Sequence, residues 1–376
     1  MDKKITLAIG ISDFRIGGAQ KLVSDVLSHI DHDQFEVHLI TLMQFDEQES
    51  FYDTIPDHVH VHKVHFKGFK DIGAWMNTVK LLRKIRPDVV WSNLFFTNTV
   101  LRFLKLLVGY KVVSIEQNTY LSKNWKHKLA DRYLAKLTYR IVAVSKYLVE
   151  FTSEDEGIPK EKFVVIHNGT DVGAMSKRAL AHSKVETKNE LGFSPEDKLI
   201  VNIGQLIAQK NQALLVDAFN IFSKKHPDYK LLILGEGAVI RKELEEKVEE
   251  YGLSDKVFLM GIQRDVPKFL NVSEFFVLSS RFEGFPIVII EALACGLPII
   301  STPVSGSDEY VHEGKNGFLA QETADDLGEK MSQLAASSTD EKEKLSKHAG
   351  EVSLQYDIAL ITKKYETLFK DALKKG

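Results

Sequence analysis

Two glutamates, Glu283 and Glu291, stand with seven residues between them in the run Ser279-Ser280-Arg281-Phe282-Glu283-Gly284-Phe285-Pro286-Ile287-Val288-Ile289-Ile290-Glu291. An apolar strand ends at Ser279 and gives way to a polar loop, where Gly284 permits a tight turn. Pro286 takes the place of a first helical residue, suited by its fixed φ and missing N–H. Downstream, Gly296 and Pro298 stop the helix and start another strand. The pattern predicts a helix start whose free N–H groups and dipole hold a diphosphate without help from a metal. Glu283 precedes that start and Glu291 projects from the second turn. Carboxylates suit sugar and ribose hydroxyls, because each accepts two charge-assisted hydrogen bonds from vicinal OH groups.

A second phosphate-handling piece is Gly204-Gln205-Leu206-Ile207-Ala208-Gln209-Lys210-Asn211, directly after an apolar run. Lys210 is read as opening the next helix, from where its ammonium reaches a phosphate as a point charge. Near the amino end, Gly17 and Gly18 follow the first strand and let the backbone approach a ligand closely.

The elements that position these residues form two rounds of alternation. β-branched runs at Lys4–Ile11, Phe35–Leu42, Val59–Val64, Asp88–Trp91, Lys111–Ile115, Tyr139–Val144 and Phe163–Ile166 read as strands. Segments of helical period lie between them. From Val172 to Asp197 the pattern lapses into Ala, Ser, Lys and Glu, read as the interdomain connection. Strands resume at Leu199–Ile203, Lys230–Leu234, Val257–Met260, Phe275–Ser279 and Pro298–Thr302. The expected fold is therefore α/β, with two doubly wound Rossmann-like domains facing across a cleft, at 1–180 and 190–352. An amphipathic helix at 357–376 is expected to pack back on the first. In such sheets ligands bind beyond the carboxyl ends of the strands, where the residues above lie.

Bulk properties narrow the class. At 376 residues, 44% hydrophobic and 27% charged, the chain suits two globular domains. The single cysteine, Cys295, allows no internal disulfide and reads as a small buried residue. No secretory signal and no apolar run of bilayer length is visible, so a cytoplasmic place is expected. The net charge of −3 hides an uneven distribution: between His60 and Glu150 there are 17 Lys and Arg against 5 acids. Phe95, Phe96 and the helix Val100–Val108, with Arg102 and Lys105, precede Lys123, Trp125, Lys126, Lys128, Arg132, Lys136 and Arg140. Cations interleaved with aromatics suit either an anionic membrane surface, giving a peripheral protein on the inner face of the plasma membrane, or a packed helix with a solvated charged face. No nucleic-acid-reading module accompanies the charge.

Other signals are weaker. Gly235-Glu236-Gly237 lacks the third glycine of a dinucleotide fingerprint, with Ile240 in its place. His58, His60, His62 and His65 alternate along a strand without a completing Cys or carboxylate, and read as a solvated face. Asp31-His32-Asp33 reads as a turn. No metal and no cofactor is expected.

Taken together these residues resemble the retaining GT-B glycosyltransferases of family four, over essentially the whole chain. Glu283 and Glu291 match its paired glutamates. Gly17–Ala19, Ala143-Val144-Ser145, Asn168-Gly169-Thr170-Asp171, Leu234-Gly235-Glu236-Gly237, the Gly261 loop and Thr302-Pro303 with Gly306 match its flanking pieces. The resemblance implies that Glu283 contacts the donor sugar and Glu291 the ribose. It implies that Lys210 and the N–H groups around Phe285 and Ile287 hold the diphosphate, and that Gly261 to Arg264 lie near the base. Gly17, Gly18, Gly204, Gln205, Gly284 and Pro286 complete the expected donor contacts. Two departures stand out: Gln205 replaces a common arginine, for which Arg281 or Arg264 would have to substitute. Gln117, beside Asn118 on the acceptor side, replaces a histidine and cannot take a proton.

The expectation is a metal-independent hexosyltransferase. It would move a sugar from a nucleoside diphosphate, UDP first, to a glycan or polyprenyl-diphosphate-linked acceptor in cell-surface polysaccharide synthesis. A nucleotide-sugar epimerase on the same scaffold and a non-catalytic nucleotide- or sugar-binding protein are the alternatives.

Overall fold

The computed structural model describes residues 3–45, 50–119 and 123–374. It divides into a first unit, Met1–Gly169 with Ile358–Gly376, and a second, Thr170–Asp357.

The first unit is built on a parallel sheet of β1 (Ile5–Ile11), β2 (Phe35–Met43), β3 (His60–Phe66), β4 (Val89–Asn93), β5 (Lys111–Glu116), β6 (Arg140–Ala143) and β7 (Phe163–Val165). Their order is β3-β2-β1-β4-β5-β6-β7. The chain builds outward from β1, then returns to its other side, so the order reverses between β1 and β4. Helices α1 (Gly18–His29), α2 (Ile72–Ile85), α3 (Phe95–Val108), α4 (Trp125–Leu137) and α5 (Lys146–Glu156) make the crossovers. The central strands are apolar along most of their length because helices cover both faces; Leu7, Ala8, Ile9, Val89, Val90, Val112 and Val113 have no exposed surface.

The second unit opens with α6 (Val172–Leu180) and α7 (Lys184–Glu190), where the sequence suggested a connection. Asp171 and Ser183 cap them, accepting hydrogen bonds from the backbone N–H of Ala174 and Glu186. Val172, Met175 and Ala179 bury the inner face of α6, which is why a stretch rich in Ala, Lys and Glu is structure rather than linker. The sheet follows: β8 (Lys198–Ile203), α8 (Gln212–Ser223), β9 (Tyr229–Leu234), α9 (Ala238–Glu250), β10 (Val257–Gly261), α10 (Val266–Val272), β11 (Ser273–Leu278), α11 (Ile287–Ala294), β12 (Ile299–Ser301), α12 (Ser307–Tyr310), β13 (Gly317–Leu319), α13 (Ala324–Ala335) and α14 (Thr339–Ser353). Its parallel order, β10-β9-β8-β11-β12-β13, reverses at β8 and β11. Strand β13 is too short to carry a sequence pattern and sits at the sheet edge, paired with β12.

The final helix, α15 (Ile358–Lys374), returns to the first unit, where it contacts α1; residues 375–376 of the expected helix lie outside the described residues. Tyr365 and Phe369 pack on Trp91 at ring distances of 4.6 and 6.0 Å, and Glu366 accepts the N–H of Asp31 at 2.9 Å. The second unit begins and ends at one point: Thr170 bridges Asp357, and its N–H donates to the Tyr356 carbonyl at 3.2 Å.

Candidate active site

Three strand ends of the second unit are sewn together by backbone bonds. Gly204 N–H donates to Leu234 O at 2.9 Å, Leu206 N–H to Glu236 O at 3.0 Å, and Gly235 N–H to Gly261 O at 2.8 Å. The glycines of Gly235-Glu236-Gly237 are explained by this seam rather than by dinucleotide binding. A Cβ on Gly235, whose φ is +139°, would lie 2.0 Å from Gly204 O, and one on Gly237 would lie 2.1 Å from Leu206 O. The loop carrying Gly204 and Gln205 is therefore fixed by main chain, which needs no particular side chain at Gln205.

Lys210 does not open α8. It sits in a turn ahead of it, with Asn211 in the left-handed conformation (φ 51°) and the helix starting at Gln212. The reversal sends the Lys210 side chain along Gly204 and onward to Glu283, where Nζ meets Oε1 at 2.6 Å. Any opposition from the α8 dipole is thereby reduced. Glu283 is 6% exposed, not a solvent-facing carboxylate, and also accepts the Ser280 hydroxyl at 2.6 Å.

The loop between β11 and α11 is tied down on both sides. Ser279 Oγ donates to Lys210 O at 3.0 Å, Arg281 N–H to Gln209 O at 2.9 Å, and Gln209 Nε2 to Phe282 O at 2.8 Å. Thr302 Oγ1 donates to Ser280 O at 2.6 Å. Ser280 and Gln209 are positioning groups to which the sequence assigned no role, and Thr302, noted there only as a flanking match, is a third.

Pro286 is the N-cap of α11 rather than its first residue, and no side chain caps the helix. The first-turn N–H groups of Ile287 and Val288 have no intrahelical acceptor, as in any helix start. Helix α11 is apolar on every side apart from Glu291, itself 7% exposed. Phe285 packs against Tyr310 and Tyr356 at ring distances of 5.4 and 5.1 Å. Near the helix end burial, aided by Glu291, pushes the Cys295 thiol up to about 12, so it stays protonated.

The structure thus brings Gly204, Lys210, Glu283, Gly284, Phe285, Pro286, Ile287 and Glu291 around one helix start. Gln205 and Arg264 are exposed on neighbouring loops, and Gly261 (φ 68°) closes the seam. Of the two arginines proposed to replace the missing charge, Arg281 pairs with Glu322 at 3.4 Å. A cation that does lie on the seam is Arg241, bonded to Glu236 at 3.0 Å and to Leu259 O at 3.2 Å.

The remaining expected residues belong to the first unit. Gly17, with extended backbone, is the N-cap of α1 and Gly18 its first residue; no side chain caps it. Gln117 and Asn118 follow the carboxyl end of β5. Asn118 turns back to accept Thr119 N–H at 2.8 Å, and Gln117 Nε2 is buried with no partner among the described residues.

The basic segment is less of a surface than its composition implied, and residues 120–122 lie outside the described residues. Arg102 is 1% exposed and bonded to Asp131, and Lys123 is 8% exposed. Lys105 is half-buried and donates to Leu137 O. Of the histidines, His38 Nδ1 meets His62 Nε2 at 3.0 Å and the His60 ring stacks on His38, a packed edge rather than a purely solvated one. Among the described residues no group of three or more His, Cys, Asp or Glu is placed to hold a metal, and no helix is long and apolar enough to cross a membrane.

Comparisons with known proteins agree with this construction. Residues 16–173 match the model of Glycosyltransferase Family 4, and residues 183–352 that of Glycosyl transferases group 1, one for each unit. The UDP-Gal:alpha-D-GlcNAc-diphosphoundecaprenol alpha-1,3-galactosyltransferase of Escherichia coli is 26% identical over 81% of this chain and 81% of its own length. The N-acetylgalactosamine-N,N'-diacetylbacillosaminyl-diphospho-undecaprenol 4-alpha-N-acetylgalactosaminyltransferase of Campylobacter jejuni is 28% identical over 84% of this chain and 86% of its own length. The fold matches that of Anabaena Alr3699/HepE, solved with UDP and glucose, with a TM-score of 0.84 over 98% of this chain and 100% of that one at 18% identity. With a family model seated on each doubly wound unit, the chain belongs to the GT-B glycosyltransferases, joining a Family 4 amino-terminal half to a group 1 carboxyl-terminal half.

Proposed function

We propose that this glycosyltransferase is a retaining, metal-independent hexosyltransferase. Its donor is a UDP-sugar, and its acceptor a glycan carried on a polyprenyl diphosphate during cell-surface polysaccharide synthesis. The observation that carries the reading is the Lys210–Glu283 ion pair beside the uncapped start of α11. It joins a cation, a carboxylate and free N–H groups at one anion-attracting point.

In this reading the donor diphosphate accepts from Ile287 and Val288 N–H and takes over part of the charge of Lys210. Lys210 then neutralises the negative charge that grows on the departing UDP. A preorganised donor of this kind contributes about 10²–10³ in rate. Glu283 accepts hydroxyls of the donor sugar and Glu291 those of the ribose, fixing the anomeric carbon against the acceptor hydroxyl. Gln117 cannot remove a proton, so the acceptor proton leaves on the departing phosphate as the new bond forms on the same face. The names of the Escherichia coli and Campylobacter jejuni relatives, both with undecaprenyl-diphosphate acceptors, support this acceptor class.

A membrane-bound acceptor also gives a role to the exposed apolar side chains of the first unit. Ile72 and Met76 on α2, Leu106 and Leu107 on α3, and Trp125 and Tyr133 on α4 all face solvent. With Lys126, Arg132 and Lys136 exposed nearby, they suit peripheral contact with anionic lipid on the cytoplasmic leaflet.

The test is transfer from UDP-galactose, UDP-glucose and their N-acetylated forms to a short-chain prenyl-diphosphate N-acetylglucosamine in EDTA. An α-linked disaccharide product is expected. Donor consumption without acceptor would point instead to an epimerase, and nucleotide binding without turnover to a binding protein.

A further inference from the structure

At the carboxyl end of β5 five ionisable side chains from five segments meet in the interior. Lys123 Nζ lies 2.6 Å from Glu156 Oε1 of α5, 2.9 Å from Asp131 Oδ2 of α4 and 3.8 Å from Glu116 Oε2 at the end of β5. Arg102 of α3 reaches Asp131 Oδ1 at 2.6 Å, and its Nε donates to Asn98 O at 3.0 Å. Each of the five side chains is at most 5% exposed. The Phe95 ring lies 5.5 Å from the ammonium. Burying so many charges is costly and an apolar core would hold the fold as well, so the cluster calls for another role.

Its position supplies one. Glu116 directly precedes Gln117 and Asn118, and Lys123 lies a few residues beyond them, so the cluster grips the chain on both sides of the acceptor-side residues. Its composition supplies another clue, because three carboxylates face two cations. Glu156 Oε2 is buried without a hydrogen-bond partner among the described residues, so negative charge on it is poorly compensated.

We propose that these five side chains form a one-proton latch that fixes Gln117 and Asn118 for the acceptor through Lys123, and that opening the latch weakens acceptor binding. The proposal rests on assigning this strand end to the acceptor. Burial, reinforced by the charge of Glu116, pushes Glu156 up to about 7, and burial likewise raises Glu116. Burial pulls Lys123 down, but its three carboxylates outweigh that and keep it charged. For Glu156 an open state titrates near 4.5, the closed state near 7. As far as Glu156 is concerned, the closed state is therefore fully favoured below 4.5, loses stability as pH rises through 7, and levels off beyond that.

Hydrogen exchange of the peptide 111–128, corrected for intrinsic rates, tests this in the full chain. Exchange should rise about tenfold or more from pH 5 to pH 7 and level off. Glu156→Gln should flatten that dependence, Lys123→Met should raise exchange at every pH, and Lys123→Arg should restore most protection. With the prenyl-diphosphate N-acetylglucosamine probe, Lys123→Met should raise acceptor KM about tenfold while UDP affinity stays within twofold. An unaltered pH dependence in Glu156→Gln, or wild-type exchange in Lys123→Met, overturns the latch. A latch that behaves as stated in an enzyme whose wild type ignores the probe counts against the acceptor class alone.

Discussion

Removing Lys210 separates what the ion pair does for the fold from what it does for the reaction. In Lys210→Ala, Glu283 keeps the Ser280 hydroxyl but loses a cation at 2.6 Å while remaining in a site where its side chain is 7% exposed. Breaking a fully buried pair costs about 3–5 kcal/mol. The Lys210 side chain is 18% exposed, so water replaces part of the loss and about 2 kcal/mol is expected. In a domain of this size that lowers the melting midpoint by about 4–8 °C. The double variant Lys210→Ala/Glu283→Ala removes the orphaned carboxylate as well, so its stability should lie above that of the single variant. Catalysis should show no such recovery: each variant should lose at least about 10²–10³ in kcat, since both lack the Lys210 ammonium that neutralises charge on the departing diphosphate. Scanning fluorimetry, UDP titration calorimetry in EDTA and steady-state transfer read the three quantities. Wild-type UDP affinity in Lys210→Ala refutes the phosphate role. A double variant no more stable than the single one refutes the account of the buried carboxylate.

Gly235→Ala should displace the Gly204 loop, because the new Cβ would meet Gly204 O at 2.0 Å from a backbone at φ +139°. A loss of about 3 kcal/mol and at least tenfold weaker UDP binding are expected by denaturant titration and calorimetry. His38 is pushed down to about 4 by burial first, then by His60 and His62. Its unfolded form takes a proton near 6.5, so stability is complete above 6.5 and falls as pH drops towards 4, by at most about 3 kcal/mol. His38→Gln should flatten the urea midpoint over that range. Deleting α15 uncovers Trp91 and Phe35 and orphans Asp31 N–H, so a chain ending at residue 357 should express insoluble. Trp125→Ser with Leu106→Ser should reduce sedimentation with phosphatidylglycerol vesicles severalfold.

Much of the scaffold was legible because parallel strands covered on both faces must be apolar throughout, as Leu7–Ile9 and Leu231–Ile233 are. The start of α11 was legible too, since Gly, Pro and a helix stop reinforce one another there. Its exact entry was not: Pro286 proved the N-cap, and the left-handed Asn211 moved Lys210 out of α8. Those displacements come from long-range bonds of Arg281 to Gln209 and of Ser279 to Lys210 that no local pattern encodes. The buried cluster was invisible for a similar reason. Arg102, Glu116, Lys123, Asp131 and Glu156 are scattered over more than fifty positions, and each alone looks like a surface charge. Helices α6 and α7 were missed because brief helices with few buried positions resemble a polar connection.

The pairing of Thr170 with Asp357 makes the second unit an insertion whose two ends share one doorstep. A segment with adjacent termini and its own six-stranded sheet has the anatomy of a transplantable module. Residues 170–357 should therefore tolerate circular permutation through a short linker joining 357 to 170, with new ends opened in the exposed turn at Gly252. They should also accept exchange as a block, so that donor preference can be swapped between relatives by cutting the chain at these two neighbouring positions.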